Sequence, residues 1–70
     1  MEKREIGILL NKLGMKNPSK QDVSDFEDLV NIGEAMEKLG YVKKSSILFA
    51  IENNSPRYDR FKKIIEEGEY

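Results

Sequence analysis

The sequence predicts an all-α fold: a compact bundle of four short helices, over about residues 2–13, 20–39, 45–53 and 56–67, forming one helical domain over residues 1–70. Three observations lead there. Apolar residues recur at helical spacing in successive segments. Those segments are separated by glycine, proline and serine punctuation that suits helix ends. No pair of alternating strands is present, and a lone strand would have nothing to pair with.

The first helix places Ile6, Leu9, Leu10 and Leu13 on one stripe, with Gly14 as its left-handed stop. Ile8 falls roughly opposite that stripe, so it is expected to be exposed or to face a partner. Asn17-Pro18-Ser19 makes the turn that follows, and Pro18 should hold Asn17 extended. The second helix can begin at Ser19 or at Ser24, where Ser24-Asp25-Phe26-Glu27 has the spacing of a capping box. Asp22, Asp25 and Asp28 then suit the positive end of the helix dipole better than a metal site, because no stretch supplies a calcium-binding loop. Phe26, Leu29, Val30, Ile32, Gly33, Met36 and Leu39 cover about half of this helix, which ends at Gly40.

In the third segment, Ser45 and Ser46 can cap Ile47 to Glu52, a run whose apolar residues point all round the axis as in a fully buried helix. A short strand is the alternative for residues 47–52. The last helix reads as Ser55 at the N-cap and Pro56 in the first position, with Tyr58, Phe61, Ile64 and Ile65 inward. Arg60 and Lys63 should face outward, with Arg57 at the margin. Two segments, residues 6–14 and 32–40, agree at five of nine positions and share Lys-Leu-Gly at their ends. That similarity fits a recurrent helix terminus, or a duplicated helix pair in which Gly7 and Gly33 permit close approach.

Composition narrows function mainly by exclusion. The chain has no His and no Cys, which removes Ser/His/Asp and Cys/His nucleophiles, thiol redox chemistry and the zinc sites built on those side chains. Its five glycines stand singly, outside any phosphate-binding pattern. A chain of 70 residues has hardly enough wall for a cleft that would retune a carboxyl group. We therefore expect no enzyme activity, cofactor, metal or small-molecule substrate. The longest apolar runs fall far short of the ~20 residues that span a bilayer, and the charged start lacks the pattern of a secretory signal. A cytoplasmic protein is the expectation.

Net charge is −1, yet it is unevenly spread: residues 19–40 sum to −4 and residues 41–65 to +4. The positive block carries Lys43, Lys44, Arg57, Arg60, Lys62 and Lys63 against Glu52 and Asp59. Solvated helix faces account for it, since the pI of about 5.4 is not that of a nucleic-acid-binding domain.

Residues Glu34 to Ile64 resemble the second half of phage-repressor-type helix-turn-helix domains. Glu34 to Gly40 is similar to their scaffold helix and turn glycine, Ser45 to Asn53 to their recognition helix, and Pro56, Tyr58, Phe61 and Ile64 follow the spacing of the next helix. The resemblance implies Ser45, Ser46 and Phe49 in the major groove, with Lys43, Lys44 and Arg57 on phosphates. The turn from Gly40 to Ile47 is one residue longer than in that family, the connection upstream of Glu34 is unlike it, and Leu48 and Phe49 stand where polar base-reading residues would be.

The first functional reading is instead a small regulatory protein that acts by binding another protein, as an inhibitor or adaptor, or by pairing with itself as a homodimer. Its candidate contacts are Ile8, Tyr41, Leu48 and Phe49, apolar side chains that so small a fold cannot all enclose. The alternative is a DNA-binding helix-turn-helix using Lys43, Lys44, Ser45, Ser46 and Arg57.

Overall fold

The computed structural model describes residues 2–68. Its elements are α1 (Lys3–Leu13), α2 (Lys20–Lys38), α3 (Lys43–Asn53), and a short 3₁₀ turn (Asp59–Phe61) that runs directly into α4 (Lys62–Glu67). The all-α, four-helix expectation holds, and the segment over residues 47–52 is helical. Among the described residues, no helix is long and apolar enough to cross a membrane.

Helix α2 is the central element, with α1 on one side and α3 on the other, and α4 closes against α3. Its start is set by Ser19 rather than Ser24. The Ser19 hydroxyl accepts from the Asp22 amide at 3.0 Å, and the Asp22 carboxylate accepts from the Ser19 amide at 3.0 Å. This reciprocal pair satisfies two amide groups of the first turn. Ser24 lies within the helix.

Helices α1 and α2 end in the same way. Gly14 (φ 115°) and Gly40 (φ 95°) are both left-handed. In α1 the Gly14 amide donates to Asn11 O and the Met15 amide to Leu10 O; in α2 the Gly40 amide donates to Glu37 O and the Tyr41 amide to Met36 O. Both are Schellman motifs, which pair otherwise orphaned carbonyls and favour a residue without a Cβ at the left-handed position. The shared Lys-Leu-Gly therefore encodes a common helix terminus. The residues after it diverge, because Met15 packs on the core whereas Tyr41 is exposed.

Four expectations need correction. Asn17 is left-handed (φ 51°) rather than extended, a region Asn enters more readily than other residues with a side chain. Helix α3 begins at Lys43, with Val42 at the N-cap, so Ser45 and Ser46 lie in its first turn instead of capping it. The Ser46 hydroxyl donates back to Val42 O at 2.8 Å. Nor is α3 buried all round, since Phe49 stands 66 % exposed. Finally, Ser55 and Pro56 do not open a helix. Residues 54–58 form turns, the Ser55 hydroxyl donates to the Asp59 carboxylate at 2.9 Å, and regular helix starts only at Lys62.

The core is built from Ile6 and Leu10 of α1, Phe26, Leu29 and Val30 of α2, Ile47, Ala50 and Ile51 of α3, and Tyr58, Phe61 and Ile65 from the C-terminal part. Phe26 and Phe61 meet at 5.3 Å between ring centroids with a 53° tilt, within the separation favoured by aromatic pairs. Every element thus contributes to one cluster. Gly33 lets α2 and α3 approach, because a Cβ there would lie 2.8 Å from two side-chain carbons of the fully buried Ile47.

A contrast between two glycines tests this packing. Gly33→Ala should destabilise the fold by about 1–3 kcal/mol through overpacking. Gly7→Ala meets only Val23 at 3.8 Å and should stabilise it by about 0.5–1 kcal/mol through higher helix propensity. Chemical denaturation followed by circular dichroism reads both changes.

Candidate functional site

Two surfaces collect the side chains that the sequence singles out, and they differ in chemistry. The first is a charge cluster where the C-terminal segment meets the start of α2. Arg60 Nε donates to Asp22 Oδ1 at 2.8 Å, Nη2 to Asp25 Oδ2 at 2.6 Å, and Nη1 to Arg57 O at 2.6 Å. The guanidinium also lies 4.4 Å from the centroid of the Phe61 ring. Arg57 reaches Asp25 at 3.5 Å and Asp28 at 3.7 Å, and stands over the Tyr58 ring at 5.0 Å. Gln21 donates to the remaining side of Asp25 at 2.8 Å.

Arg60 therefore folds back onto α2 instead of facing outward. Asp25, only 4 % exposed, is a paired buried carboxylate. The Arg60 hydrogen bond holds the Asp25 carboxyl below its ordinary value against the opposing effect of burial, helped by Gln21 and Arg57. Asp22 is lowered as well, first by the Ser19 amide and then by Arg60. Asp22, Asp25 and Asp28 of the acidic helix are thus partners of Arg57 and Arg60 in the basic C-terminal half.

The second surface is an open groove of about 820 Å³ between the C-terminal half of α2 and α3. Ile32, Met36, Tyr41, Val42, Phe49 and Ala50 supply its apolar lining, and Ser45, Ser46, Asn53 and Asn54 its polar lining. No charged residue is among them. Two polar side chains already donate to their own helix, Ser46 to Val42 O and the Asn54 amide to Ala50 O at 2.8 Å. Among the described residues, six large apolar side chains are exposed: Ile8, Ile32, Leu39, Tyr41, Val42 and Phe49. Four of these line the groove, and Leu39 stands one turn beyond Met36 on the same side of α2 by helical spacing.

The structure brings Tyr41 and Phe49 together here, along with Ser45 and Ser46. Ile8 is exposed as expected, but it lies elsewhere, beside Glu5, Leu9 and Lys12 on α1. Leu48 is half-buried against the core and does not line the groove. Lys43 has its stem beside Gly33. Lys44 donates to Glu66 O at 3.0 Å and Gly68 O at 3.4 Å, holding the free carbonyls where α4 ends.

Sequence reasoning missed Ile32, Met36, Leu39 and Val42 as surface residues by assigning the α2 apolar residues to a single broad face. The signal is present as two narrower stripes: Phe26, Leu29, Val30 and Gly33 are buried, whereas Ile32, Ala35 and Leu39 are exposed and Met36 is half-buried. The turn between α2 and α3 comprises residues 39–42.

No family model, no curated protein and no solved structure matches this chain.

The charge cluster yields two measurable outcomes. Arg60→Met should lower the unfolding free energy by about 2–4 kcal/mol, because it leaves Asp25 shielded with weakened compensation. Because the Asp22 and Asp25 carboxyls are lowered in the folded state, their contribution is complete above the ordinary carboxylate value. It is lost as the pH falls through about 4 and below. Denaturation curves across that range should show stability declining on acidification, with a shallower decline in Asp25→Asn.

Proposed function

We propose that this chain is a small, non-enzymatic protein-binding module and that the α2–α3 groove is its docking surface. The observation that carries the reading is the clustering of exposed apolar side chains. Four of the six on the described surface, Ile32, Tyr41, Val42 and Phe49, line one concavity without charged lining. Scattered apolar residues are ordinary on a protein surface, but a contiguous patch of them is a mark of an interaction site. Tyr41 and Phe49 are the aromatic anchors that such interfaces favour.

A helix-turn-helix DNA reading has one observation in its favour, the four-residue turn containing left-handed Gly40. The chemistry around it argues for protein instead. Lys44 is engaged at the end of α4 and Arg57 with Asp25 and Asp28, while Val42 and Phe49 on the open face of α3 have no groups that hydrogen-bond base edges.

A photo-crosslinking residue at position 45, within the groove, should give a discrete protein adduct in lysate of cells producing the chain; one at exposed position 63 should not. Absence of an adduct at position 45, or equal adducts at both, overturns the reading. For DNA, binding to arbitrary duplex should show no steep dependence on salt; a steep slope that flattens in Lys43→Ala/Lys44→Ala would favour the helix-turn-helix reading instead.

A further inference from the structure

We draw no further inference here: the strongest candidate, the apolar groove between the C-terminal half of α2 and α3, belongs to the docking surface already proposed, and nothing in the structure shows what covers it.

Discussion

The contact on which the rest of this small fold depends is the Arg60 guanidinium. It bridges Asp22 and Asp25 near the start of α2, accepts no bond itself, and lies over the Phe61 ring. Those contacts do different things. The carboxylates fix where the C-terminal segment lands on α2. The ring contact places Phe61 against Phe26, so an electrostatic pair and an aromatic pair specify one register between residues far apart in the chain. The segment between α3 and α4 consists of turns and a short 3₁₀ piece, held locally by main-chain bonds such as the Arg57 amide to Asn54 O and the Asp59 amide to Pro56 O. Arg60 ties it to α2, and Lys44 secures the far end at Glu66 and Gly68.

This arrangement changes the meaning of the uneven charge along the sequence. An acidic helix followed by a basic half could be two surfaces for two partners. In the folded chain Asp22, Asp25 and Asp28 instead receive Arg60 and Arg57, and the segregation becomes a docking code within one molecule. Most of the large exposed apolar residues gather elsewhere, at the end of α2 and the open side of α3.

Helix number, the inward stripe of α1 and the glycine stops were legible because they depend on local rules, namely periodicity, capping and the left-handed turn. Ile8 was legible for the same reason, being off its own stripe. The start of α3 was not, since Val42 has no side-chain group to mark an N-cap and the serines after it have the look of one. The bend at residues 54–58 was hidden by Ser55-Pro56, a pair that suits a helix start yet here lies within turns. Arg60 was missed because its partners are 35 and 38 residues away, and no local pattern announces them. The groove was half legible. Tyr41 and Phe49 stood out, but separating Ile32 and Leu39 from Leu29 and Val30 requires knowing how wide a face α3 covers.

The paired Schellman turns have a consequence for how this surface can change over time. After Gly14 the chain commits its next residue, Met15, to the core, whereas after Gly40 the same backbone geometry delivers Tyr41 and Val42 outward. The turn at Gly40 is secured by main-chain hydrogen bonds from Gly40 and Tyr41 and has no requirement for the side chains it displays. Exchange of the side chain at position 41 leaves those hydrogen bonds in place, so the surface displayed there can change while the turn beneath stays as it is, whereas position 42 is also tied to the start of α3 as its N-cap.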